Sequence, residues 1–214
     1  MAPSFDFVAR VYPALEWLAS GRSLERARGA FLTKVLGAER LLLIGEGNGR
    51  FLARCLREKV LGSITVVDSS EEMLRSAEAR AATVAHETTL RFVHGDIRAL
   101  TAPVGTFDVI VTHFFLDLFR PESQRRVVDE ITRLADPGAF WVDVDYRPQL
   151  GSAFRRAIDW LQYRFDQRFS GVEADRHYDP SGLLAESGWV QVEELAFMNG
   201  AVRARLFIAA GPPR

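Results

Sequence analysis

Glycines at alternate positions, followed further on by an aspartate, have the spacing of a ligand-binding turn. Gly45, Gly47 and Gly49 come directly after an aliphatic run, and Asp68 ends the next aliphatic run, roughly twenty residues beyond the glycines. Glycine lets the backbone turn tightly and lets a ligand lie against the main chain without meeting a Cβ. An acid at this distance can accept hydrogen bonds from both hydroxyls of a ribose. The spacing therefore predicts a site for a nucleotide-type ligand.

The elements that must position these residues are buried strands and the helices between them. Residues 41–44 and 64–67 are short apolar runs, which is typical of strands covered on both faces of a parallel sheet. A helical pattern follows the glycines, and the free N–H groups of its first turn point at the same ligand. The alternation of strands and helices predicts an α/β, doubly wound sheet.

The same alternation continues along the chain. An apolar helix face over residues 22–36 precedes the first strand, and Ser69 with Glu72 predicts a capping box that starts the helix after Asp68. The other predicted elements are a strand and turn at 90–97, strands at 107–112 and 139–146, a helix at 122–134, a turn at 136–138, and closing strands at 189–194 and 203–209.

The third glycine decides which kind of nucleotide the turn suits. The dinucleotide fingerprint requires glycine at position 50, where this chain has Arg50. The third glycine of this chain is Gly49, one residue earlier. With the later segments, this spacing resembles the class I (Rossmann-like) S-adenosylmethionine-dependent methyltransferases, over residues 40–146 with the motifs in order and more loosely over the whole chain. The resemblance implies a mostly parallel seven-stranded sheet with helices on both faces and a terminal antiparallel hairpin.

The resemblance also implies a cofactor site for S-adenosylmethionine, with S-adenosylhomocysteine as the product. Asp68 is expected to hold the ribose, Asp96 to accept from the adenine amino group, and Met73 to pack near the adenine. The remaining residues expected at the cofactor are Gly45, Glu46, Gly47, Gly49, Ser69, Ile97 through its backbone amide, His113, and Tyr12 from an N-terminal arm.

One position departs from the family. Many members carry an acid two residues before the first glycine, where it helps to hold the amino group of the cofactor. This chain has Leu43 there. Glu46, inside the glycine turn, is the acid that can replace it, and the sequence leaves open whether it does.

Transfer of a methyl group from a sulfonium needs proximity and alignment, and a base when the acceptor is a hydroxyl. His113 leaves the fourth predicted strand at the ligand crevice and is the candidate base; the alternative is that it bonds backbone or lines the cofactor site. The Asn/Asp-Pro-Pro-aromatic motif of methyltransferases acting on exocyclic or amide nitrogens is absent, which argues against DNA adenine. The candidate acceptor-binding residues are Phe114, Asp117, Tyr146, Trp160, Tyr163 and His177.

Length and composition suit one compact domain, because 214 residues that are 48% hydrophobic form one full core, and the resemblance implies that it is a single methyltransferase domain. We divide it into an N-terminal lid with helices at 1–37, a cofactor-binding core at 38–146, an aromatic cap segment at 147–186 and closing strands at 187–214. The net charge of -1 gives no support for a nucleic-acid partner. A small-molecule acceptor that is partly apolar or aromatic is therefore expected.

Cysteine and hydropathy patterns bear on location. The single cysteine, Cys55, fits a reducing cytosol, and no signal peptide or membrane-length apolar run is found, so a cytoplasmic protein is expected, without a membrane partner. The four histidines are too scattered to predict a metal site.

Several functions remain open at this stage. An RNA or protein methyltransferase would carry a basic patch with exposed aromatics. A non-catalytic S-adenosylmethionine-binding regulatory module would bind the cofactor without turnover, and Leu43 is compatible with it. A nicotinamide dehydrogenase is disfavoured by Arg50. The sequence leaves the acceptor, the methylated atom and the oligomeric state undetermined.

Overall fold

The computed structural model describes residues 22–60, 62–100, 104–147 and 178–210. Its centre is a seven-stranded sheet in the order β3-β2-β1-β4-β5-β7-β6. The strands are β1 (Arg40–Ile44), β2 (Ser63–Asp68), β3 (Leu90–His94), β4 (Phe107–His113), β5 (Ala135–Tyr146), β6 (Trp189–Phe197) and β7 (Val202–Ala209).

Strand direction follows the predicted family fold. β1 pairs in parallel with β2 and with β4, while β7 runs antiparallel between β5 and β6. Leu41 and Leu42 are both fully buried, because β1 is covered on its two faces. The doubly wound, mostly parallel sheet with a terminal antiparallel hairpin is therefore confirmed.

The helices form two layers, one on each face of the sheet. The first layer packs on Leu41 and Leu43, and the second packs on Leu42 and Ile44. The helices of the first layer are α1 (residues 22–28), α2 (Leu32–Leu36), α3 (Arg50–Arg57) and α4 (Glu71–Ala81); those of the second are α5 (Pro121–Leu134) and α6 (Ser181–Glu186).

The single helix predicted over residues 22–36 is wrong, because the structure breaks it into α1 and α2 around Gly29. The guanidinium of Arg54, from α3, fills the space where a Cβ of residue 29 would stand. It also donates to the carbonyl of Glu25 at 3.3 Å. The break lets α3 approach closely enough to support the glycine turn that precedes it.

The turn predicted at residues 136–138 lies inside β5 as an irregularity of the strand. The pairing with β4 jumps from Phe107 opposite Ala135 to Val109 opposite Phe140. Gly138, with φ at 80°, absorbs the extra residues of this bulge. β5 therefore begins directly after α5 and still places residues 140–146 in register with β4.

Charged side chains are buried between β4, β5 and β7. The guanidinium of Arg205 lies 2.6 Å from the carboxylate of Asp143, and their side chains are 1% and 0% exposed. The other oxygen of Asp143 accepts from the Thr112 hydroxyl at 3.0 Å, and Trp141 donates to that hydroxyl at 2.8 Å. Because each group has a partner, the network ties three strands together below the ligand-binding end of the sheet.

None of the helices in the described ranges is long and apolar enough to cross a membrane.

Candidate functional site

The three glycines of the turn adopt left-handed backbone conformations for different reasons. Their φ angles are 63° at Gly45, 67° at Gly47 and 78° at Gly49. A Cβ at Gly49 would lie 2.6 Å from the Cα of Ala77 in α4, and one at Gly45 would overlap the ring of Phe115. At Gly47, no atom of the described residues lies within 4 Å of that position. Gly47 therefore faces open space in which a ligand can reach the backbone.

Asp68 connects the glycine turn to the next helix. Its Oδ2 accepts from the backbone N–H of Gly47 at 3.2 Å, and its Oδ1 accepts from that of Ser70 at 2.9 Å. The carboxylate is half-buried at the end of β2, beside the open space at Gly47. It keeps lone pairs for a ligand while the two backbone groups hold it in place.

The predicted capping box at Ser69 is wrong, because Ser70 caps α4. The hydroxyl of Ser70 accepts from the backbone N–H of Met73 at 3.3 Å. Since Asp68 already binds the N–H of Ser70, the chain turns one residue later than the sequence pattern indicates. The carbonyl of Ser69 instead meets the imidazole of His94 at 3.0 Å, and Met73 is 40% exposed rather than part of the core.

Glu46 caps α3 from within the turn. Its Oε1 accepts from the backbone N–H groups of Phe51 and Leu52 at 2.8 and 3.0 Å, which the N-cap residue Gly49 has no side chain to bind. Burial raises the pKa of Glu46 to about 7, against these hydrogen bonds and the charge of Arg28. Leu43, at the position where the family carries an acid, packs in the core at 1% exposure.

The raised pKa of Glu46 predicts a pH-dependent stability. A carboxyl whose pKa rises on folding, here from 4.5 to about 7, favours the folded state while protonated, so stability falls as pH rises through this window. We expect the free energy of unfolding to drop by about 3 kcal/mol between pH 4.5 and 8 through this group, because each unit of pKa difference is worth about 1.4 kcal/mol. Glu46→Gln, which keeps the accepting oxygen, should lose that part of the slope in urea unfolding.

A matched control is Glu71→Gln in the first turn of α4, whose side chain is 68% exposed. This variant should keep the slope of the unsubstituted protein. If Glu46→Gln shows the same pH dependence as the unsubstituted protein, Glu46 is not the group that titrates.

Asp96 follows β3 and is held by a neighbouring arginine. Arg98 donates through Nε to Oδ1 at 3.0 Å and to Oδ2 at 3.1 Å, and through Nη2 to Oδ2 at 2.6 Å. The backbone N–H of Arg98 also donates to Oδ1, at 2.9 Å. The arginine side chain lowers the pKa of Asp96. Ile97, buried at 2%, begins the short 3-10 helix that places Arg98 in reach.

His113 ends β4 with its ring buried beside the glycine turn. The ring is 8% exposed and packs edge-on against Phe51, with 4.5 Å between centroids. Within the described part of the chain, neither ring nitrogen has a hydrogen-bond partner. Burial, with the charge of Arg28, lowers the pKa of His113 to about 3. The imidazole is therefore neutral at physiological pH and offers one donor and one acceptor to a ligand.

Phe114 and Tyr146 form an aromatic wall past the ends of β4 and β5. Phe114 has a φ of 54°, and its N–H donates to the carbonyl of Val144 at 2.6 Å, which turns the chain out of the sheet. Its ring lies 5.0 Å from that of Tyr146 and 5.0 Å below the guanidinium of Arg28.

Asp117 and Asp145 are buried together behind this wall, at 5% and 3% exposure. The backbone N–H of Asp117 donates to Oδ2 of Asp145 at 2.9 Å. Burial, together with the charges of Asp117 and Asp143, raises the pKa of Asp145 well above its usual range. Asp145 therefore binds a proton more tightly than an exposed carboxyl does.

The structure thus brings the strand-end residues to one edge of the sheet: Gly45, Glu46, Gly47, Gly49, Asp68, Ser69, Met73, Asp96, Ile97, His113, Phe114, Asp117 and Tyr146. The predicted contacts Tyr12, Trp160, Tyr163 and His177 lie outside the described residues. Sequence reasoning missed Arg28 and Arg98. Arg98 stands two residues after Asp96, a spacing that could have suggested the ion pair, whereas nothing local links Arg28 to the turn.

Residues 22–60, 62–100, 104–147 and 178–210 contain no group of three or more His, Cys, Asp and Glu side chains arranged to bind a metal ion.

Comparison with known proteins gives one matching family and several relatives. A model described as "methyltransferase domain" matches residues 41–138. An uncharacterized methyltransferase of Mycobacterium tuberculosis is 27% identical over 137 residues, 64% of this chain and 66% of the relative. The demethylmenaquinone methyltransferase of Shouchella clausii is 26% identical over 150 residues, 70% of this chain and 60% of that protein. The chain thus spans less than two thirds of the length of these relatives.

Among solved structures, the magnesium protoporphyrin IX methyltransferase from Synechocystis PCC 6803, with bound S-adenosylhomocysteine, matches with a TM-score of 0.66 and 15% identity. The match covers 90% of this chain and 84% of that one, and at this identity it shows a shared fold.

Proposed function

We propose that this chain, whose residues 41–138 match the methyltransferase-domain model, is a class I S-adenosylmethionine-dependent methyltransferase that transfers a methyl group to a small-molecule acceptor. The observation that carries this proposal is the open space at Gly47 beside the Asp68 carboxylate. A glycine turn of this shape, next to a carboxylate that can accept hydrogen bonds, suits the ribose and amino-acid parts of that cofactor.

In the proposed site, this chain's residues bind and orient the cofactor. Asp68 accepts from the ribose hydroxyls, Asp96 accepts from the adenine amino group, and the peptide of Ile97 lies against the ring. Met73, half-exposed at the start of α4, covers the adenine side. Ser69 and Gly49 shape the backbone around it.

Glu46 takes the role of the acid that many family members carry at the position where this chain has Leu43. Oε1 of Glu46 is bound to the start of α3, which fixes the carboxyl in the turn and leaves Oε2 for an ammonium group. Binding of a cation favours the ionised carboxyl, so the cofactor would lower the pKa of Glu46 from its raised value.

The sulfonium of the cofactor supplies an activated methyl group and an excellent leaving group. The protein's contribution is then alignment. Since its pKa is about 3, His113 suits a role as a neutral hydrogen-bond partner of cofactor or acceptor better than a role as general base.

The acceptor is proposed to be a partly apolar or aromatic small molecule. Phe114 and Tyr146 present an aromatic wall where the fourth and fifth strands end, and Trp160, Tyr163 and His177 are proposed to complete the acceptor site from the segment 147–186. Two of the similar proteins are named for demethylmenaquinone and for magnesium protoporphyrin IX. The second candidate is a cofactor-binding module without catalysis. The presence of leucine at position 43, where many family members carry an acid, favours this candidate.

Calorimetric titration with S-adenosylmethionine, S-adenosylhomocysteine and NAD tests the proposal. We expect the first two to bind and NAD to give no heat, because the turn holds Arg50 in place of the glycine that a pyrophosphate requires. Binding of NAD alone, or of none of the three, contradicts the proposal. Cofactor binding without methyl transfer to any compound in a panel of quinol, phenol and carboxylate acceptors favours the non-catalytic module.

A further inference from the structure

The side chain of Arg98 donates hydrogen bonds to both carboxylate oxygens of Asp96. Its Nη2 lies 2.6 Å from Oδ2, and its Nε lies 3.0 Å from Oδ1, while its own backbone N–H also reaches Oδ1 at 2.9 Å. A guanidinium presents its donors in a rigid plane, so these hydrogen bonds fix the orientation of the Asp96 carboxylate as well as its position.

The guanidinium of Arg98 packs on the ring of Phe119, which in turn packs on Phe115. Its guanidinium carbon lies 4.9 Å from the centroid of Phe119, which is 8% exposed. Phe119 packs edge-on against Phe115, with 5.1 Å between centroids, and the ring of Phe115 lies against Gly45. The position of Asp96 is thereby tied, through side chains in contact, to the glycine turn on the neighbouring side of the crevice.

The ion pair contributes little to stability, because the side chains of Arg98 and Asp96 are 24% and 38% exposed. The ion pair matters because it determines which lone pairs of the Asp96 carboxylate remain available to a ligand. An ionised carboxylate has about four acceptor sites and no donor. Arg98 occupies acceptor sites on both oxygens, and the sites that remain accept an N–H group and repel a carbonyl oxygen.

From these contacts we propose that Arg98 is a positioning residue that makes the site selective for a 6-amino purine over a 6-oxo purine. It does so by holding Asp96 as a fixed acceptor opposite the exocyclic group at position 6. The inference rests on the proposed function, since it concerns the adenine end of the same cofactor site.

The experiment compares S-adenosylhomocysteine with its deaminated analogue, S-inosyl-L-homocysteine, by calorimetric titration. In the analogue an oxygen replaces the amino group and faces the carboxylate. The unsubstituted protein should bind S-adenosylhomocysteine roughly 30-fold more tightly, because the carboxylate accepts an N–H group from one ligand and faces a carbonyl oxygen of the other.

In Arg98→Ala the carboxylate can rotate, and the preference should fall about tenfold, mainly through weaker binding of S-adenosylhomocysteine. Arg98→Lys keeps the charge without the planar fork and should give an intermediate preference. Arg91→Ala, at an exposed position on β3, is the matched control and should keep the full preference. Urea unfolding of each variant establishes that it is folded.

The outcomes separate this inference from the proposed function. If the unsubstituted protein binds neither compound, both fail. If it binds S-adenosylhomocysteine but the preference over the analogue is the same in Arg98→Ala, Arg98→Lys and the control, the proposed function stands and the role of Arg98 is wrong. Tighter binding of S-adenosylhomocysteine to Arg98→Ala would mean that Arg98 competes with the purine for Asp96, which also overturns the inference.

Discussion

Replacement of Arg205 by methionine is expected to lower the free energy of unfolding by about 3–5 kcal/mol. The guanidinium lies 2.6 Å from the carboxylate of Asp143, and both side chains are shielded from solvent. Methionine fills a similar volume without charge, so the main effect is that the buried carboxylate of Asp143 loses its ion-pair partner inside the sheet. Urea unfolding followed by tryptophan fluorescence measures the loss.

Two further variants establish that the cause is the unpaired charge. Arg205→Met combined with Asp143→Leu removes both charges and should recover about 2 kcal/mol or more of the loss. Arg125→Met breaks an ion pair with Glu186 whose side chains are 57% and 65% exposed, so it should cost far less than Arg205→Met. A similar loss for Arg125→Met and Arg205→Met would contradict the argument from burial.

Asp68→Ala is expected to weaken binding of S-adenosylhomocysteine about 100-fold, which corresponds to about 2.7 kcal/mol. In the proposed site the carboxylate makes charge-assisted hydrogen bonds to the ribose, and each such bond contributes about 1.5–3 kcal/mol. The substitution also removes the acceptor for the backbone N–H groups of Gly47 and Ser70, which shape the same turn.

Calorimetric titration compares this variant with Glu72→Ala, which changes an exposed acid in the first turn of α4. Glu72→Ala should bind within about twofold of the unsubstituted protein, because it removes charge from the same helix without touching the turn. If the affinity of Asp68→Ala also stays within about threefold, Asp68 does not hold the ribose. Circular dichroism confirms that both variants are folded before the titration.

The sheet could be predicted from the sequence because its central strands leave few alternatives. Residues 41–44 and 64–67 are apolar without interruption, and glycine or an acid ends each run. The helix boundaries were harder to predict, since they depend on contacts between distant residues. The helix predicted over 22–36 is interrupted at residues 29–31, where Arg54 of a later helix packs against Gly29, and Ser70 rather than Ser69 caps α4 beside the Asp68 carboxylate, which binds its N–H.

The positions of the candidate site residues followed from the rule that parallel strands end at the same edge of a sheet. Their electrostatic states did not. The type of residue at position 113 indicates titration near neutrality, whereas burial without a partner lowers the pKa of His113 to about 3. Likewise Glu46 has an ordinary sequence context, and only the three-dimensional packing of the turn raises the pKa of its carboxyl.

The insertion of β7 between β5 and β6 sets the order in which the sheet can be completed during synthesis. The ribosome synthesises β5 before residues 202–209. Until those residues emerge, one edge of β5 is unpaired and Asp143 has no ion pair with Arg205. Residues 40–113 can pair earlier, because β1, β2, β3 and β4 are neighbours in the sheet and are all synthesised before β5. A nascent chain halted before β7 would therefore expose both an unpaired strand and an uncompensated charge, which makes it a substrate for chaperones and proteases.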